Sequence, residues 1–163
     1  LIAIGIDPGI ITTAVMCIDE DGKPLGWTAH IGEPKAKDDK RSRRIEPERL
    51  YKMVSNALSC VIALQTQHHA DIIALEEPFC AKGTIALKGY AVFAALCYSL
   101  HNLVLSSEFI TVSPNTVKKF VGAHKKMFVA REVQRRWGFS SDDHNVVDAY
   151  AIARWAMSQQ NGK

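Results

Sequence analysis

Apolar residues fall along this chain in two rhythms, one of strands and one of helices. Leu1 to Asp7 is an apolar, isoleucine-rich run that stops in Asp7-Pro8-Gly9, which predicts a strand ending in a turn. Thr12 to Ile18 predicts a second strand, Asp21-Gly22 a hairpin turn, and Leu25 to Ile31 a third strand. Three strands joined by short turns predict an antiparallel meander. Gly32 to Arg44 is polar and charged and predicts a loop. Pro47 to Gln67 carries Leu50, Met53, Val54, Ala57 and Val61 at helical spacing, so a long amphipathic helix is expected there. Asp71 to Leu75 predicts a short buried strand that ends at Glu76-Glu77-Pro78. Ile85 to Leu103 predicts a mostly apolar helix and Phe109 to Val112 another strand. Ser113 stands where it can cap a short helix with Pro114 at its first position. Helices over 128–137 and 144–157 complete the order βββαβαβααα. This is an α/β arrangement in which helices cover a mixed sheet.

Composition narrows the class. The chain has 163 residues, 47% hydrophobic and 23% charged, which suits one domain over residues 1–163 with a sizeable core. Its longest apolar stretch, Ala91 to Leu105, is broken by Ser99, His101 and Asn102, so no membrane span is expected. The first residues lack a basic leader and a small-residue cleavage site, so a signal peptide is not expected. Cys17, Cys60, Cys80 and Cys97 are scattered without a C-x-x-C pair. They read as free, buried thiols in a reducing compartment rather than disulfides or a zinc site.

Charge changes the picture more. The net charge is only +3, but Lys118 to Arg136 holds seven bases against Glu132 alone, and Lys35 to Arg49 holds seven bases against four acids. Those runs carry +6 and +3, which leaves −6 for the rest of the chain. Basic surfaces beside an acidic remainder suit a protein that binds phosphates and holds a carboxylate metal site.

Three acids stand where chemistry can use them. Asp7 and Glu76 end strands and each is followed closely by a proline, while Asp148 lies one turn into the last helix. Each alone is equally a turn or cap residue; together, beside basic runs, they are more specific. If the first and fourth strands are parallel neighbours, Asp7 and Glu76 meet at one sheet edge, and a helix across that edge adds Asp148. The three are expected within metal-bridging distance, their repulsion relieved by Mg²⁺, with Mn²⁺ as a substitute.

These residues carry a resemblance. Ile4-Gly5-Ile6-Asp7-Pro8-Gly9 resembles the first motif of RuvC-type Holliday junction resolvases. Ala74-Leu75-Glu76-Glu77-Pro78-Phe79, followed by Ala81-Lys82, resembles their second acidic motif and junction-probing loop. Asn145 to Ala153 resembles the terminal motif, and Val117-Lys118, Val121-Gly122 and Lys126 resemble the stretch that supplies DNA-contacting lysines. The matches run in the family's order over nearly the whole chain.

The resemblance implies an RNase H-like fold, a five-stranded mixed sheet flanked by helices. It implies an endonuclease that resolves four-way junctions by paired nicks, through two metal ions, as a homodimer and without a membrane partner. Asp7, Glu76, Asp148 and Asn145 would hold metal. Lys118 and Lys126 would act on the scissile phosphates, and Phe79, Lys82, Lys119 and Lys125 would also contact DNA. The implied setting is a bacterial or phage-infected cytoplasm or a DNA-containing organelle.

One position departs from the pattern. The family usually has an acid three residues before the last aspartate, and this chain has Asn145. Asn145 is natural to the site, or His144 and Asp143 take over one turn away from Asp148, or an aspartate has been replaced by asparagine here, which leaves a catalytically impaired junction-binding form. An Asn145→Asp change is expected to raise Mg²⁺-dependent cleavage without greatly changing junction affinity, whereas it does nothing if His144 already acts as the general base and Asn145 is a settled part of the site.

Other features stay bland or secondary. His68-His69 ends the long helix and is assigned no chemistry, and Trp137 and Trp155 are expected to pack the last helices together. A broader nuclease of the same fold, acting on flaps, forks or RNA–DNA hybrids, is the alternative. Asp-Pro-Gly also resembles the phosphate turn of actin-like and sugar-kinase ATPases, but their second glycine-rich loop has no counterpart here.

Overall fold

A computed structural model describes residues 1–9, 12–31, 47–78, 84–103 and 106–160. Most of the basic run over 35–49, and Cys80, lie outside the described residues. The strands are β1 (Ala3–Pro8), β2 (Thr12–Ile18), β3 (Pro24–Ile31), β4 (Ile72–Glu76) and β5 (Glu108–Val112). The helices are α1 (Pro47–His68), α2 (Thr84–Asn102), α3 (Pro114–Val121), α4 (Val129–Trp137) and α5 (His144–Gln160). The strands form one sheet in the order β3-β2-β1-β4-β5. β2 is antiparallel to β1 and β3, while β4 is parallel to β1 and β5. The expected meander and the expected parallel pairing of the first and fourth strands are both present.

Alternation along the central strands splits the core in two. Ile4, Ile6, Val15, Cys17, Ile73 and Leu75 face α1 and α2. Ala3, Ala14, Met16, Ile72 and Ala74 face α5, with α3 and α4 packed beside it. The residues of β1 and β4 on the α5 side are mostly small, so the helix lies close. A Cβ on Gly5 would fall 2.2 Å from the Ala149 carbonyl oxygen and 2.5 Å from the Ala153 nitrogen. Glycine is therefore needed at this crossing, and the close approach fixes how α5 sits over β1.

The helix ends follow their sequence signals. Ser113 Oγ accepts from the Thr116 amide at 3.2 Å, Pro114 opens α3, and Gly122 closes it at φ 80°. One piece has no periodic signal: a 3-10 turn, Lys126–Phe128, leads into α4. Trp137 stacks on Phe120 at 5.7 Å and leans on Tyr150, and half-buried Trp155 packs against the same core. Both tryptophans thus pack helices, as expected. Cys17, Cys60 and Cys97 are free, with Cys17 buried and its thiol pushed up to about 11 by burial. Among the described residues no helix is long and apolar enough to cross a membrane.

Candidate active site

The alternation that buries Ala3 and Gly5 under α5 turns Asp7 to the same face at the C-terminal end of β1. β4 repeats the pattern, with Ile72 and Ala74 under α5 and Glu76 next in the series. The parallel register pairs Ile6 with Leu75, so one further step sets Asp7 beside Glu76. Asp148 adjoins Ala149, whose carbonyl oxygen lies over Gly5, so the helix brings it to the same edge. Asp7-Pro8-Gly9 is a tight turn: a Cβ on Gly9 would fall 2.0 Å from the Thr12 carbonyl oxygen. Glu77 points elsewhere and accepts from Thr111 Oγ1 at 3.1 Å, which ties it to β5.

The electrostatics record the convergence. Burial pushes the Asp7 carboxyl up to about 7, with Asp148 and Asp143 adding to the rise and Lys126 opposing it. Burial likewise pushes Glu76 up to about 8, helped by Asp7 and Asp148 and opposed by Lys126 and Lys118. Asp148 is raised by burial, against the pull of Lys126 and His144. Asp7 is only 6% exposed. A carboxylate this buried calls for a proton or a neighbouring cation.

The cation present is Lys126. Its ammonium lies 3.0 Å from Asp148 Oδ2, although the lysine side chain is 71% exposed. Burial opposes its charge, yet Asp148, Asp7 and Glu76 together hold it above the ordinary lysine value. Among the described residues no three His, Cys, Asp or Glu side chains are grouped as a metal ion requires. The expectation of metal-bridging distance is corrected to this extent: the carboxylates influence one another without closing on a shared point. The Lys126 ammonium engages Asp148. As a donor set, three carboxylates and an amide oxygen suit a hard divalent ion such as Mg²⁺ or Mn²⁺.

The remaining candidates sort by position. Asn145 and His144 open α5 one turn before Asp148, with Asn145 half-buried and His144 exposed. The Asn145 side-chain amide donates to Asp143 Oδ1 at 2.8 Å, and its backbone amide donates to the same oxygen at 2.9 Å. Lys118 is half-buried and close enough to act on Glu76, while Lys119 and Lys125 are exposed on the same α3-to-α4 segment. Phe79 and Lys82 lie outside the described residues.

The basic run is less available than its charge suggests. Arg131 and Arg135 pair with Glu132 at 3.1 and 2.9 Å, and Arg136 donates to the Phe120 carbonyl at 2.8 Å. Sequence reasoning did not foresee Lys126 as the internal counter-ion of the acids. Only the turn after Gly122 brings it to them, and no motif encodes that turn.

No protein-family model and no curated protein sequence matches the chain. Among solved structures, the chain is similar to Thermus thermophilus RuvC in complex with a Holliday junction substrate. That match has a TM-score of 0.73 and 20% identity over 99% of this chain and 97% of that one. A second Thermus thermophilus RuvC structure matches at TM-score 0.72 and 21% identity, with the same coverage. The yeast mitochondrial Holliday junction resolvase Ydc2 matches at TM-score 0.61 and 15% identity, over 98% of this chain and 80% of that one. The five-stranded mixed sheet with flanking helices is thus the RNase H-like architecture these proteins share.

Proposed function

We propose that the chain is a metal-dependent endonuclease that resolves four-way DNA junctions by paired symmetric nicks, a crossover junction endodeoxyribonuclease. The observation that carries this reading is the meeting of Asp7, Glu76 and Asp148 at one sheet edge beside Lys118 and Lys126. The fold it stands on is shared with a RuvC solved on a Holliday junction.

Asp7, Glu76 and Asp148 would hold Mg²⁺ or Mn²⁺, with the end of α5 at Asn145 completing the site. Divalent ions held by these residues would supply polarisation of the phosphodiester and a lower pKa for the attacking water. The chain's own groups do the rest. Lys126 exchanges its partner Asp148 for a scissile phosphate oxygen, and Lys118 steadies charge developing on that phosphate. His144, beside Asp148, is available to accept the proton of the attacking water. Lys119 and Lys125 add phosphate contacts, and Phe79 and Lys82 probe the strand crossover. Two such sites in a homodimer make the paired cuts, and exposed Tyr51 of α1 and Tyr98 of α2 offer it an apolar surface.

The test is a cleavage panel with a labelled mobile junction, linear duplex, a flap, a fork and an RNA–DNA hybrid, in Mg²⁺, Mn²⁺ or EDTA. Metal-dependent symmetric nicks in the junction, lost in Asp7→Asn and Asp148→Asn, are the expected result. Preferential cutting of flaps or hybrids would move the assignment to a broader nuclease of this fold. Tight junction binding with no cleavage in either metal would leave a junction-binding protein.

A further inference from the structure

Lys126, Met127 and Phe128 form one 3-10 turn, and three residues per turn send their side chains about 120° apart. Two of those directions are used. The Lys126 ammonium turns to the acids, 3.0 Å from Asp148 Oδ2. Phe128 turns inward: its half-buried ring packs on the core beneath α5, and the Arg131 guanidinium lies over it at 4.8 Å. The Phe128 amide donates to the Lys125 carbonyl at 3.0 Å, which closes the turn. Met127 is left with the third direction. At 75% exposure it is the most exposed large apolar side chain among the described residues.

Folding removes little of Met127 from water, so the fold gains little from an apolar side chain there. Its surroundings indicate what would gain. From Lys118 to Arg131 the chain carries Lys118, Lys119, Lys125 and Lys126 and no acid. An apolar tip among cations suits a polyanion that also offers apolar faces. Nucleic acid is such a partner, with phosphates on its outside and stacked base faces within.

We propose that Met127 is a wedge that enters the base step beside the scissile phosphate and so helps to select branched DNA. The inference rests on the junction-cutting reading above and adds to it a residue that senses stacking rather than charge. Consecutive Cα atoms lie about 3.8 Å apart, so with Lys126 on the scissile phosphate, Met127 meets the adjoining nucleotide. Methionine is unbranched and adapts its shape to the gap between two bases. In a continuous duplex a base step must be unstacked to admit it, whereas at a branch point the stack is already interrupted. The wedge therefore costs less at a junction.

Four-way junctions carrying 2-aminopurine at successive positions around the crossover, bound in EDTA, test this without reference to cleavage. The probe brightens when its stack opens, and the wild-type protein is expected to brighten at least one position. Met127→Ala is expected to lose that signal and to bind the junction about fivefold more weakly, with the salt dependence unchanged. Its melting temperature should stay at the wild-type value, because the side chain is exposed. Lys125→Ala should instead lower the slope of log affinity against log salt by about one and keep the signal at saturation. Met127→Leu should restore the signal, since the wedge needs apolar bulk. Undiminished brightening in Met127→Ala would overturn the assignment, and so would a shift of that variant from dimer to monomer in sedimentation, which would make Met127 a contact between copies. A wild-type protein that prefers the junction to linear duplex but brightens no position would remove the wedge alone. If it shows no such preference, the reading above fails and this inference with it.

Discussion

Asp7 and Glu76 ordinarily ionise near 3.8 and 4.5, but burial and neighbouring acids push them up to about 7 and about 8. Between those limits the unfolded chain releases protons that the folded chain keeps. The two groups therefore favour the fold most below about pH 4, and that advantage is lost as pH rises to about 8. Glu132, held low by Arg135 and Arg131, works in the opposite sense, but it does so below this window. In EDTA the melting temperature is expected to fall by on the order of 5 °C from pH 5.5 to 8.5. Mg²⁺ or Mn²⁺ should restore it at the upper end, where the ligands are ionised. Asp7→Asn should flatten the slope, and a pH-independent melting temperature in wild type would refute the coupling. The acids themselves were legible in the sequence, because strand ends followed by proline mark Asp7 and Glu76. Their charge balance was not, since Lys126 reaches Asp148 only through the turn that follows Gly122.

At the level of elements, the site depends on how closely α5 lies over β1. Gly5 sets that distance, because a Cβ there would meet the Ala149 carbonyl oxygen at 2.2 Å and the Ala153 nitrogen at 2.5 Å. Both contacts are backbone of a buried helix and cannot move aside as a side chain would. Gly5→Ala is expected to cost on the order of 3 kcal/mol in urea unfolding. Whatever folds should bind Mn²⁺ poorly, since lifting α5 draws Asp148 from Asp7. Gly138→Ala is the control: its Cβ meets nothing within 4 Å, and only the φ of 70° is strained. It should cost about 1 kcal/mol and leave Mn²⁺ binding intact. Equal effects of the two changes would mean that Gly5 serves only backbone freedom. The strands and long helices were readable because alternation and 3.6-residue spacing are sequence properties. The close crossing at Gly5 was not, because it depends on which helix returns to that strand.

The paired cutting proposed for this chain would be a property of the whole molecule, since one site can open only one strand at a time. The helical layer of α1 and α2 covers one sheet face, opposite the α5 layer that carries Asp148. Tyr51 and Tyr98 on its outer side are 73% and 74% exposed, large apolar surfaces for a chain that stays single. If this layer joins two copies, each keeps its carboxylate edge clear of the contact, and one junction can meet both. Sedimentation should then show a concentration-dependent dimer that Tyr98→Asp shifts to monomer, at little cost to the melting temperature because the side chain is exposed. A supercoiled plasmid with an extruded cruciform distinguishes the consequences. A dimer would make both cuts in one encounter and yield linear product, whereas the monomeric variant should accumulate nicked circles, because the cruciform relaxes before a second protein arrives. Linear product from a variant that sediments as monomer would show that each chain cuts both strands unaided. Wild-type sedimentation by Tyr98→Asp would remove this face from the dimer contact.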